Sequence, residues 1–260
     1  VTEPTASYEP LGPGRYQPTI LVQGAWREDE QHMAVIGGLI THEIEQHEPR
    51  EGMVLARIAF EILGQIPLQE THIAVETIRP GRTIELIEAT ATIGDRVIIR
   101  ARAWRLQTQD TTDVAGVELP SMPAPDDCVE TDAAAEWQGR FLTTLDYRAA
   151  PGGRDGRRQV WARTDVPLVA GTTVGPVASY VRLVDIANGI ATRVRPTEML
   201  YPNVDLTIHL LRTPDPAWVG LDTSVSFGDH GIGLTSTTLN DLRGPIGRAE
   251  QCLTVRHFAS

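Results

Sequence analysis

The chain has 260 residues, 41% of them apolar, and a formal net charge of -11. That length suits one large or two small packed domains, and the acidity argues against a nucleic-acid partner, because neutralising phosphates needs a basic face. All 23 basic residues are arginine, which removes Schiff-base chemistry, pyridoxal phosphate and a Walker-type phosphate loop.

From Gln31 to Gln46 the apolar residues Met33, Ile36, Gly37, Ile40 and Ile44 recur at three- and four-residue steps, the spacing of an amphipathic helix. Strands are predicted after it at Met53 to Leu63, Glu70 to Ile78, Thr83 to Ile93 and Arg96 to Leu106. In the last, Val97, Ile99, Ala101 and Ala103 alternate with Arg96, Ile98, Arg100 and Arg102, as expected of a strand with one wetter face. Between about Gln107 and Gly156 the pattern fails, and PSMPAPDD and APGGRDGRR read as a long linker. A second helical stretch follows at Val177 to Ile190. Strands are then predicted at Asn203 to Leu211, Trp218 to Phe227, Gly231 to Asn240 and Ile246 to Val255.

The same order of elements occurs twice. An offset of 148 carries Gly37 to Asp185, Ile58 to Leu206, Ile84 to Ile232 and Leu86 to Leu234, so helix and strands keep one register although few residues are shared. The expectation is an α+β chain with an N-terminal domain over 1–106, a linker over 107–156 and a C-terminal domain over 157–260. Each helix would be wrapped by an antiparallel sheet, and the two sheets would join edge to edge, a double hotdog that removes two vulnerable edges.

Several pieces carry a resemblance. RRQVWAR (Arg157 to Arg163), SYVRLVDIANGI (Ser179 to Ile190), NVDLTIHLLR (Asn203 to Arg212), AWVGLDTS, HGIG and LRGPIGRAEQCLTVR follow one another with plausible gaps, and RPGRTIELIEATATIGDRVIIRARAWR stands in the first half. The chain resembles the acyl-CoA thioesterase II family. The resemblance implies an acyl-CoA substrate, hydrolysis to free acid and CoA, a place in fatty acid metabolism and assembly into a homo-oligomer. It also implies an attacking water held by an Asp on the second domain's helix, a Ser or Thr opening the next strand and a Gln on the last strand. Those positions are Asp185, Asn203 and Gln251 here, and Asn203 departs from the usual hydroxyl by offering an amide, both donor and acceptor.

Thioester hydrolysis needs a base for water and donors for the oxyanion, with neither covalent nucleophile nor metal required, so no cofactor is expected. Asp185 would be the base, its pKa raised by apolar neighbours such as Val184 and Ile186. Asn203 and Gln251 would hold the water, with backbone N–H groups near a helix start completing the site. The first-half positions matched to the three are Gly37, Leu55 and, at an offset of 149, Arg102, so only the second half carries a polar constellation.

Other signals compete less well. Arg154, Arg157 and Arg158 are candidates for CoA phosphates, though such a cluster is more often solvated. His42 and His47 stand at no metal-ligand spacing and read as surface residues. GTTVG, Gly171 to Gly175, superficially resembles a nucleophile elbow, with Thr173 for serine. An enoyl-CoA hydratase of hotdog fold would need a His about five residues after its Asp, where Ile190 stands. A non-catalytic acyl-CoA or lipid-binding hotdog protein is a further alternative. Cys128 and Cys252 form neither a zinc motif nor a disulfide framework, so the cytoplasm is the expected compartment. The N-terminus lacks a secretion-signal pattern, and runs such as Ala34 to Ile40 are far short of the roughly 20 residues that span a bilayer.

Overall fold

Long period-two runs fold into one sheet whose strands come from both halves of the chain. A computed structural model describes residues 3–258. Two short strands, β1 (Tyr8–Gly12) and β2 (Arg15–Pro18), precede helix α1 (Met33–Gln46) and four strands, β3 (Met53–Ile62), β4 (Thr71–Arg79), β5 (Ile84–Ile93) and β6 (Arg96–Gln107). Then come β7 (Val129–Thr131), β8 (Asp146–Ala149), β9 (Arg157–Arg163), helices α2 (Pro176–Val181) and α3 (Ala187–Ile190), and the small strand β10 (Met199–Leu200). The chain closes with β11 (Asp205–Leu210), β12 (Val219–Phe227), β13 (Ile232–Asp241), β14 (Gly244–Thr254) and β15 (Arg256–His257). The eight strands predicted from alternation are all present, with ends shifted by at most two residues.

Thirteen strands form one sheet in the order β1-β2-β4-β5-β6-β3-β11-β14-β13-β12-β9-β8-β7, and β10 pairs with β15 beside it. Apart from β7 at one end, the order mirrors itself about the β3–β11 seam. At that seam Ala59 lies opposite Thr207, 148 positions further along, with Ile58 opposite Ile208 and Phe60 opposite Leu206. The offset read from the sequence therefore relates the two halves by a pseudo-twofold axis through the Ala59–Thr207 pair. The same offset carries the Ala59–Arg102 pair onto Thr207–Glu250 and Glu88–Arg102 onto Ser236–Glu250. One correction follows: the first-half position matching Gln251 is Ala103, not Arg102. A one-residue slip along a strand exchanges its faces. Arg102 points outward to an ion pair with Glu88, whereas Ala103 is buried.

One large apolar core runs through both halves, from Tyr8 and Ile36 to Ile208 and Ala249, and a small second cluster gathers Ala191, Val225 and Leu253. Helix α1 buries Ala34, Ile36, Leu39, Ile40 and Ile44, and it crosses α2 closely because Gly38 has no side chain. A Cβ there would lie 2.4 Å from Arg182 Cβ. His42 is buried in α1, not at the surface as its neighbouring acids suggest. In β6 the alternation slips, burying Ile98 and exposing Val97, because an irregularity in the β5–β6 ladder pairs Ala91 with Ile99 but Thr92 with Val97.

Part of the stretch expected to be a linker belongs to the second half. β7 and β8 extend the sheet beyond β9, and Ala134, Phe141, Leu142 and Leu145 join the core. The helix expected over Val177 to Ile190 is broken. α2 ends at Val181, a 3-10 turn spans Val184–Ile186, and α3 adds one turn. At the break the largely buried Arg182 sends its guanidinium back to the carbonyls of Val166 (2.7 Å) and Thr164 (3.4 Å). The tighter turn after it carries Asp185, and such turns often mark functional positions.

Candidate active site

Asp185 reaches the seam between the halves from that turn and is only 4% exposed. Asn203 enters from the segment before β11, where it bridges to Leu253 of β14, and Gln251 points inward from β14, 1% exposed. The three predicted residues meet. Asn203 Nδ2 donates to Asp185 Oδ1 at 2.7 Å, and Gln251 Nε2 donates to the same oxygen at 2.9 Å. The second hydrogen of Asn203 Nδ2 goes to the carbonyl of Asp205 at 3.0 Å. Gln251 Oε1 and Thr235 Oγ1, on directly paired residues of β14 and β13, are buried without a partner.

Burial pushes the Asp185 carboxyl up to about 7, against the pull of the two amide donors, which favour its charged form. Its other oxygen, Oδ2, lies 3.9 Å from Nδ1 of His32. His32 caps the N-terminus of α1, its Nδ1 accepting the Ala34 N–H at 3.2 Å, and its ring packs against Phe141 at 4.9 Å between centroids. Burial lowers His32 to about 4, so near neutral pH the imidazole is uncharged and its contact with Asp185 is not an ion pair. No sequence reading singled out His32. The signal was its place just before an apolar helix, the position of an N-cap, whereas its nearness to Asp185 is a product of the fold.

Asp185, Asn203 and His32 open onto a cavity of about 590 Å³ whose walls come from both halves. Trp26 and Trp137 stand edge to face at 4.7 Å on one side, braced by Tyr201, and Trp137 Nε1 donates to the Gly189 carbonyl at 2.9 Å. Trp137 and Gly189 also border a second, polar cavity of about 530 Å³. There Arg158, Arg193 and Arg195 face Asp132, Glu136, Asp155 and Glu198, so the arginines create no net positive field. Arg157 is committed elsewhere, to the buried Asp222. Thr173 lies in an exposed loop beside a sheet whose neighbouring strands all run antiparallel, unlike the strand-turn-helix setting of a nucleophile elbow.

Two family models match the chain. One, described as an acyl-CoA thioesterase N-terminal domain, covers residues 22–106, and the other, an acyl-CoA thioesterase C-terminal domain, covers residues 125–255. The chain belongs to the acyl-CoA thioesterase family. The second match begins just before β7, in keeping with the assignment of β7 and β8 to that half. A search of curated protein sequences finds no significant match for this thioesterase-family chain. Among solved structures it is similar to a hot dog fold protein from Alicyclobacillus acidocaldarius, at a TM-score of 0.75 and 14% identity over 94% of this chain and 93% of that one. An acyl-CoA thioesterase II, TesB2, from Mycobacterium marinum gives 0.67 and 18% over 97% and 96%. The tesB protein of Mycobacterium avium subs paratuberculosis gives 0.68 and 16% over 96% of each chain. At such identities the likeness is one of fold, a double hotdog with its two sheets joined edge to edge. Among the described residues no helix is long and apolar enough to cross a membrane.

Proposed function

We propose that this protein hydrolyses acyl-CoA thioesters to a free acid and CoA, with Asp185 as the general base. The observation that carries the reading is a buried carboxylate, held on one oxygen by two side-chain amides, that borders a cavity large enough for an acyl thioester. A carboxylate with a pKa near 7 is a stronger base than an exposed one and is still half ionised at neutral pH. Water attacks the thioester carbonyl carbon while Asp185 takes one of its protons, and the carbonyl π pair moves to oxygen. Collapse of the tetrahedral intermediate breaks the C–S bond, and the departing thiolate takes the proton back from Asp185. Asn203 and Gln251 fix the carboxylate's orientation.

The pseudo-twofold axis supports a single site. The first-half equivalents of Asn203 and Gln251 are Leu55 and Ala103, both buried and apolar, and Gly37 stands where the offset places Asp185. A domain kept only to bind lipid has no need to bury a carboxylate on one side alone.

A second reading has one observation in its favour, since His32 beside Asp185 forms an Asp–His pair of the kind an enoyl-CoA hydratase uses. Against it, the lone pair of His32 Nδ1 is occupied by the Ala34 N–H, leaving the neutral ring no free base. The test measures thiol release across an acyl-CoA chain-length panel, with Asp185→Ala as control, alongside loss of conjugation from an enoyl-CoA. Binding without thiol release would leave a binding protein, and loss of conjugation without thiol release would leave a hydratase.

A further inference from the structure

The hydrolase reading names no side chain as a donor to the oxyanion. Asn203 has spent both amide hydrogens, on Asp185 and on the Asp205 carbonyl, and Gln251, whose Nε2 faces Asp185, does not border the cavity. Neither amide can turn to the substrate without releasing the base it orients. We propose that His32, from the first half, is a catalytic residue of this site, donating its Nε2–H to the thioester carbonyl oxygen and to the oxyanion that forms from it.

The argument rests on that hydrolase reading and on four features of the ring. Because Nδ1 accepts from the Ala34 N–H, the neutral ring must carry its proton on Nε2. Nε2 itself has no hydrogen-bond partner among the described residues, while the ring borders the cavity beside Asp185. Phe141 and the cap bond hold the imidazole in place, so little reorganisation accompanies the reaction, the condition under which such a donor is most effective. Burial at the positive end of α1 favours the neutral ring, and a neutral imidazole at a helix N-terminus is an established way to polarise a carbonyl without surrendering a proton. With the base on one half and this donor on the other, the reacting carbonyl would sit across the seam, and the site would need both hotdogs.

Two substitutions separate the donor from the cap. His32→Asn keeps an acceptor for the Ala34 N–H but has no group where Nε2 stood, and His32→Gln places an amide N–H near that point. With the best substrate of the acyl-CoA panel, His32→Asn is expected to lower kcat about 10²–10³-fold, the usual loss on deleting one oxyanion donor, with KM little changed. His32→Gln is expected to recover activity to within about tenfold of wild type. In the unmodified protein, imidazole nitrogen shifts should report the Nε2–H tautomer near neutral pH, a readout that does not depend on either variant folding. Full activity in a folded His32→Asn protein overturns the proposal, as does a change confined to KM. Equal loss in both variants, or an Nδ1–H or doubly protonated ring, overturns it too. No thiol release from the wild type sinks the hydrolase reading and this role with it, whereas wild-type release with an indifferent His32→Asn sinks this role alone.

Discussion

Asp185→Asn is expected to make the protein more stable at mildly alkaline pH while removing its activity. The carboxyl sits at about 7 in the folded chain against an ordinary 3.8, and burial is the cause. Between those two values the folded chain keeps a proton that the unfolded chain releases, so stability falls as pH rises through that window and the full penalty stands above it. At 1.36 kcal/mol per pKa unit the difference is worth about 4 kcal/mol. Asparagine is neutral throughout and keeps an oxygen to accept from Asn203 and Gln251. The variant should therefore exceed wild type by up to about 4 kcal/mol near pH 8.5 and match it below about pH 3, where Asp185 is largely protonated in both states. Urea titrations of the two proteins at several pH values, followed by tryptophan fluorescence, would measure the gap. Parallel stabilities at every pH, or a variant weaker on the alkaline side, would refute the claim that a buried charge is held at this position.

For the wild type, kcat/KM for thiol release should rise with pH through about 7 and level off above it, since the ionised form of Asp185 is the base. Gln251→Leu removes one of the two donors that favour the charged form and should move this limb to higher pH, while an unmoved limb would count against Asp185 as the group observed. Gly38→Val forces a side chain into the backbone and Cβ of Arg182, where the added Cβ alone would stand 2.4 Å from its neighbour. Overpacking of this kind typically costs about 1–3 kcal/mol, which urea denaturation would report.

The sequence disclosed much of this fold because its strands are long and half-buried. In β5 and β6 the inward series Ile87, Ala89 and Ala91 faces Ala103, Ala101 and Ile99, and period-two patterning of that length admits few other readings. β1, β2, β7 and β8 run for five residues or fewer among prolines and glycines, where pattern is too short to exceed chance, and the seven-residue β9 opens on arginines that continue the glycine-rich stretch before it. The break in the second helix was not visible either, since it depends on where the Arg182 side chain finds carbonyls. Asp185, Asn203 and Gln251 were found through resemblance, and ladder register then corrected the first-half counterpart of Gln251 to Ala103. His32 could not be found by spacing, because it lies 153 positions before Asp185 and they meet only when α1 packs against the turn that carries Asp185.

The seam between β3 and β11 also determines what the connecting peptide does. Almost every residue from 108 to 121 is exposed, and no strand of the sheet lies among them. The halves are joined by a ladder and a shared core that would persist if this stretch were cut. Its contribution is to raise the effective concentration of each half for the other. A chain nicked there should elute from a sizing column as one particle of unchanged volume and still release thiol, with its fragments separating only in denaturant. In that sense the molecule is a dimer of unlike subunits that share one messenger, and the tether guarantees an equal supply of both.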